Sequence, residues 1–377
     1  MKSCTFLLCL LLSLSPVLFA QSVCFNEVDT AFPLEPYQAA VLDANNDGHL
    51  DLAFIESGPW DVYVAAALGG GDGSLLGSYR HVLGRSNGLQ GTAIAVGDFN
   101  NDGNQDLVVA LSKSGVGILL GNGNGTFVAL PQTRTPYNVS SLVAGDFNRD
   151  GKLDAAIFTG PAQTAPHEIE VLLGNGDGTL QAPIKVASVP IYGGALLATD
   201  LNADGKLDLV ALLGDGLEIG SLAVLIGNGD GRFQSPKIYS GATNYNGLSL
   251  AVADLNEDGN LDVAITGDGA TFSIFWGTGT GALLGPTTIS VGSRFSLYSL
   301  TTLDLLGNGL QDVVAATYDY FTVIALNAGG GTFSTQRYSL NHLSYRVYSG
   351  DFNSDGKPDL VFLFPNNPGV GILLNCS

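Results

Sequence analysis

Seven nine-residue stretches of this chain carry side chains suited to a hard cation. In residues 146–154, oxygen side chains fall at positions 1, 3, 5 and 9 as Asp146, Asn148, Asp150 and Asp154, with Gly151 at position 6. Alternate spacing turns each carboxylate or amide inward, the glycine permits the sharp turn, and the carbonyl of position 7 adds a donor. Ca²⁺ takes such a set, roughly 6–8 oxygens at about 2.3–2.6 Å. The pattern recurs as Asp43, Asn45, Asp47 and Asp51, then as Asp98, Asn100, Asp102 and Asp106. Further copies are Asp200, Asn202, Asp204 and Asp208, and Asp254, Asn256, Asp258 and Asp262. The last full copy is Asp351, Asn353, Asp355 and Asp359. A weaker one keeps Asp304, Asn308 and Asp312 but has Leu306 at position 3. The expectation is about six calcium sites and a weak seventh.

One such stretch could be an ordinary turn. Seven of them, with starts 55, 48, 54, 54, 50 and 47 residues apart, argue for a repeated site. They are not EF-hands, which need a bidentate Glu at position 12. That position holds Phe54, Val109, Ile157, Ala211, Ile265, Ala315 and Phe362, all apolar. Any metal must be held by the nine-residue loop alone.

A period near 50 over 377 residues points to a single repeat array. Aliphatic runs separated by Gly, Asn and Asp turns indicate an all-β chain. In the third repeat, strands are expected at 141–145, 154–159, 168–173 and 179–186, the last two joined by a glycine turn at 174–178. That turn recurs at 69–73, 121–125, 227–231, 277–281 and 327–331. It suits a hairpin that needs positive φ, and no helix follows it, which excludes a phosphate cradle. Seven four-stranded units predict a seven-bladed β-propeller. The seventh repeat stops near Cys376, where its fourth strand should begin, so an N-terminal strand at 22–28 is expected to complete that blade. Repeat alignment then sets Cys24 opposite Cys376 across the glycine turn, within reach of a ring-closing disulfide.

Residues 1–20 read as a signal peptide: Lys2, an apolar run from Phe6 to Leu14, and Ala20 before Gln21. The run is too short to span a membrane comfortably, and no later segment could cross one. Residues 21–377 are left as one exported domain, secreted or periplasmic with the cell surface possible, monomeric and without membrane insertion. Cys4 and Cys9 leave with the signal, so Cys24 and Cys376 remain as a lone pair suited to an oxidising compartment.

The net charge of −20 is mostly local, because the seven loops hold 20 Asp. Six Ca²⁺ would take it to about −8. Crowded carboxylates should couple folding to metal. No basic stripe exists to displace counterions, which argues against nucleic acid.

Units such as residues 95–107 followed by 119–127 resemble the FG-GAP/VCBS family, found in the propeller of integrin alpha subunits and in many exported bacterial proteins. The resemblance covers nearly all of residues 22–377. It implies that the Asp and Asn residues named above are Ca²⁺ ligands, on the face opposite the usual ligand face. The sixth loop departs from the pattern at Leu306 and Asn308.

The segment before each inner strand carries an aromatic residue in six repeats: Tyr37, Tyr137, Tyr192, Tyr245, Phe295 and Tyr345, with Leu89 in the second. A tyrosine-rich mouth suits sugar stacking or protein contact, and equally packing between blades. Signals for catalysis are weak. Gly84, Ser86 and Gly88 fit a nucleophile elbow without its strand-to-helix setting. His49, His81, His167 and His342 are scattered, and Trp60 and Trp276 fall near third strands as packing residues. These readings point to a non-enzymatic binding or adhesion module for an extracellular protein or glycan. A glycan-specific lectin is one alternative. The other is a carbohydrate-active enzyme of the polysaccharide lyase or dehydratase type, which wants a base and clustered cations that 15 Lys and Arg do not supply.

Overall fold

The structure is a computed structural model that describes residues 23–33, 35–57, 61–85, 91–112, 115–160, 167–189, 193–214, 221–240, 249–267, 270–292, 296–364 and 368–377. The expected signal peptide, 1–20, lies outside them. The described residues form seven four-stranded antiparallel sheets and no helix. Second strands are near-continuous apolar runs because both faces are covered: Asp106–Leu111 and Asp208–Leu213 are buried throughout. Outer strands such as Leu283–Ser290 face solvent along most of their length.

Seven apolar clusters hold the ring, one between each pair of neighbouring blades. The cluster joining last to first packs Phe54 and Ala65 against Val361, Leu363 and Ile372. Closure is therefore made by packing as well as by the chain ends.

Those ends share the seventh blade. Arg346–Gly350, Asp359–Phe364 and Gly369–Asn375 pair in order, and Phe25–Ala31 adds the fourth strand, with Phe25 opposite Asn375 and Ala31 opposite Gly369. The strand starts three residues later than the expected 22–28, after Cys24. Cys24 is bonded to Cys376 at a Cα separation of 5.1 Å, and its carbonyl accepts the Cys376 N–H at 3.0 Å. The matching positions of the third blade, Asn175 and Thr179, show the same backbone bond at 3.0 Å and a side-chain bond at 2.8 Å. The disulfide thus stands where an intact blade has an amide–hydroxyl bond across its turn.

In the third blade the strands are Asn138–Gly145, Asp154–Gly160, His167–Leu172 and Ile184–Val189. The last begins five residues beyond its expected start. Leu180 makes only an isolated bridge to Gly174, and Pro183, which has no N–H, interrupts the ladder before Ile184.

Candidate metal loops

Each inner strand runs along the axis and delivers position 1 of a loop; the second strand leaves with position 9. In the third blade, Asp146 Oδ1 and Asn148 Oδ1 both accept the Asp150 N–H, at 3.1 and 3.0 Å, and Asp146 Oδ2 accepts that of Gly151 at 2.9 Å. Asp150 Oδ1 accepts the Lys152 N–H at 3.0 Å. Arg149 and Gly151 sit at φ of 60° and 80°. A non-glycine residue held there costs about 1–2 kcal/mol, offset by these bonds. The same left-handed position 4 recurs at Asn46, Asn101, Ala203, Glu257 and Ser354, with Gly307 in the sixth loop.

Position 9 does different work. Asp154 is buried; its two oxygens accept the N–H groups of Phe147 at 3.0 Å and Gly174 at 2.8 Å, tying the loop to the glycine turn. Asp51, Asp106, Asp208, Asp262, Asp312 and Asp359 repeat this arrangement. Burial raises every one of these carboxyls, outweighing the two amides that lower it, and neighbouring loop carboxylates raise it further. Asp154 and Asp312 are pushed up to about 6. Position 5 goes the other way: the residue-7 amide, helped by the position-3 amide side chain, lowers Asp47 and Asp102.

Because position 9 is turned onto amides, no three His, Cys, Asp or Glu side chains among the described residues converge as one group. The oxygens of positions 1 and 3 share the Asp150 N–H on the exposed side of the loop, Asp150 itself accepts from residue 7, and the buried position-9 carboxylate feels the charges of positions 1 and 5. An all-oxygen donor set with three carboxylates in one short turn fits a hard divalent cation.

Four of the glycine turns also tie neighbouring blades together on this face. Gly178 N–H donates to Phe99 O at 3.0 Å, joining a turn of the third blade to position 2 of the second loop. Gly125, Gly231 and Gly73 do the same to Ala44, Phe147 and Phe352. Gly178 has φ of 83°, and a Cβ there would meet Leu120 at 2.7 Å.

The sequence profile of the FG-GAP-like repeat matches residues 43–109, 98–157, 200–265, 254–315 and 304–362. Each match starts at position 1 of one loop and ends at position 12 of the next. The chain belongs to the FG-GAP-like repeat family. A 143-residue stretch is 33% identical to mouse integrin alpha-7, covering 33% of this chain and 12% of that protein. The chain thus spans a small part of its curated relative. The crystal structure of BBS1N in complex with ARL6DN superposes with a TM-score of 0.60 at 13% identity, covering 91% of this chain and 93% of that one. The Neurospora crassa Pan2 WD40 domain gives 0.58 at 9%, covering 93% and 94%. At such identities these two show the propeller fold alone.

The sixth loop of this FG-GAP-like propeller keeps the architecture and loses donors. Asp304 accepts the N–H groups of Asn308 and Gly309, and Asp312 those of Leu305 and Asn327. Leu306 offers no oxygen at position 3, and Asn308 removes the carboxylate at position 5.

On the opposite face, Tyr37 and Tyr137 are 41% and 46% exposed. Tyr345 is half-buried and donates its hydroxyl to Pro36 O across the joint between the last and first blades. It packs, while the other two are exposed. Tyr192, Tyr245, Phe295 and Leu89 lie outside the described residues, as do Trp60 and Ser86. Trp276 packs in an inter-blade cluster and donates to Thr287 Oγ1 at 2.9 Å. The four histidines stay apart: His49 lies near Ser354, His81 on an outer strand, His167 within the third blade, and His342 beside Asp29.

Sequence reasoning missed the axial channel, a cavity of about 620 Å³ lined by the inner strands. Five residues before each first Asp stand Gln38, Ala93, Ser141, Ala195, Ser249, Ser299 and Arg346, each lining it. Three of the serines clip neighbouring blades: Ser141, Ser249 and Ser299 accept the N–H groups of Leu196, Leu300 and Val347 at 3.0, 3.1 and 3.3 Å. The one signal for this ring was the aligned column itself, in which Arg346 stands out.

Proposed function

We propose that this chain is an exported, calcium-stabilised propeller serving as a non-enzymatic binding or adhesion module for an extracellular protein or glycan. The observation that carries the reading is the sixfold recurrence of an all-oxygen loop whose buried position-9 carboxylate lies among like charges. Calcium would be held by positions 1, 3, 5 and 9 of the loops beginning at Asp43, Asp98, Asp146, Asp200, Asp254 and Asp351, with the carbonyl of position 7. It would neutralise each cluster and brace the turns that tie the blades together. The Cys24–Cys376 bond and the relationship to an integrin alpha chain support an extracellular setting. Removal of residues 1–20 and a monomeric state belong to the same proposal.

Calorimetric titration of chelator-stripped mature protein should count six calcium ions per chain. A count of none would remove calcium from the reading.

A glycan as the partner is favoured by the exposure of Tyr37 and Tyr137, because a phenol offers both a stacking surface and a hydroxyl. A glycan array at millimolar calcium, compared with Tyr37→Ala and Tyr137→Ala, tests it. Signals lost in those variants support the glycan; a blank array with the native chain refutes it. New ultraviolet absorbance on incubation with uronate polymers would instead favour a lyase.

A further inference from the structure

The channel carries a binding group that the loops and the tyrosine face do not use. Arg346 is the one charged residue among the described residues that line it. Its Nε is buried and has no hydrogen-bond partner, and no described carboxylate pairs with it. A cationic donor left in that state is costly unless something completes it.

The aligned ring shows that Arg346 is free of the duty its column performs elsewhere. Where serine stands, it clips the next blade. At the joint between the last and first blades that clip is made by Tyr348, whose hydroxyl accepts the Ala39 N–H at 2.9 Å and meets Gln38 Oε1 at 3.3 Å. Arg346 has no structural bond at this level, yet an arginine occupies a place where serine or alanine suffices. Around it the lining is rich in hydroxyls and amide: Thr92, Ser140, Thr301, Ser349 and Gln38.

Electrostatics permit an anion here despite the net charge of −20. Arg346 begins the strand Arg346–Gly350 and the acidic loop starts just past its end, about 16 Å away at ~3.3 Å per residue. That exceeds the Debye length of about 8 Å at physiological salt, so the loop carboxylates are largely screened from the channel mouth.

We propose that the axial channel is a binding site for a small hydroxylated carboxylate, its carboxylate gripped by the Arg346 guanidinium and its hydroxyls by the Ser, Thr and Gln lining. A planar guanidinium matches a carboxylate with two parallel bonds, and a cavity of about 620 Å³ is the size of a small-ligand pocket. The site needs neither the adhesion reading nor the exposed tyrosines: its contacts lie inside the channel whose mouth those tyrosines border.

The test is calorimetric titration of the calcium-loaded mature chain with D-glucuronate, D-glucose and acetate in low-chloride buffer. Glucuronate should bind at one site per chain, about tenfold or more tighter than acetate, which has no hydroxyls, with no measurable glucose binding. Arg346→Gln should weaken glucuronate at least about tenfold, and Arg346→Lys less, because it keeps charge but loses the fork. Should the variants fail to fold, glucuronate should still protect Arg346 of the native chain from phenylglyoxal, read by peptide mass mapping. Absent glucuronate binding, binding unchanged in Arg346→Gln, glucose or acetate binding as tightly, or no protection of Arg346 would each overturn the proposal. None of these outcomes bears on calcium in the loops.

Discussion

The third and sixth loops share a backbone and differ in donors. Both keep Asp at positions 1 and 9, a left-handed residue at position 4, as Arg149 or Gly307, and glycine at position 6. Both bury a position-9 carboxylate whose two oxygens accept two amides. Only the third adds Asn148 and Asp150; the sixth has Leu306 and Asn308 in their place. The positions that survive in the degenerate copy are therefore the ones that build the loop. Those it has lost are the ones a cation would require. Position 1 serves both purposes, and position 9 is first a structural anchor.

The comparison breaks most visibly at the anchor. Asp154→Ala and Asp312→Ala should each lose about 3 kcal/mol in urea unfolding, with or without calcium, because two buried amides lose their acceptor. A loss confined to the third loop would mean that position 9 matters only through metal.

The donors sharpen it next. Leu306→Asn combined with Asn308→Asp should restore a seventh site, raising the calorimetric calcium count by one. Asp150→Asn with Asn148→Leu, which gives the third loop the donors of the sixth, should lower it by one. Each occupied site adds about 2.7 kcal/mol at a calcium concentration one hundred times Kd.

Acidity gives a smaller effect with a definite sign. Asp154 and Asp312 have carboxyls raised to about 6 from an ordinary 3.8, so the folded chain binds their protons more tightly than the unfolded one. Their contribution to stability is full below about pH 4 and is lost as pH rises through about 6. Melting of chelated protein should show these groups favouring pH 5 over pH 7.5. Added calcium should cancel the loss at Asp154 and leave it at Asp312, an asymmetry that Asp154→Asn and Asp312→Asn should expose.

The smallest effect lies at position 4. Gly307→Ala should cost about 1 kcal/mol, and Arg149→Gly should be near neutral, because the strain relieved is offset by added freedom in the unfolded chain. Chemical denaturation measures both.

Much of this was legible in the sequence, because loop chemistry is local. Four oxygen side chains and a glycine within nine residues define each full loop, and their recurrence fixes the blade count and the shared last blade. The cysteines could be paired because an aligned repeat places Cys24 and Cys376 where Asn175 and Thr179 face each other. What escaped depends on neighbours distant in sequence. Pro183 delays a strand that the hydrophobic pattern alone would begin earlier. Tyr345 spends its hydroxyl on Pro36, 309 residues away, while Tyr37 and Tyr137, alike in sequence setting, remain open. Arg346 becomes conspicuous only when seven inner strands are set side by side around one axis.

The most direct test of the central claim is thermal unfolding of the mature chain in millimolar calcium and in chelator. Six ions bound to the folded state alone should raise the midpoint steeply, and further with each increment of calcium. A midpoint identical in calcium and chelator would contradict the claim, leaving the seven loops as turns that happen to be rich in aspartate.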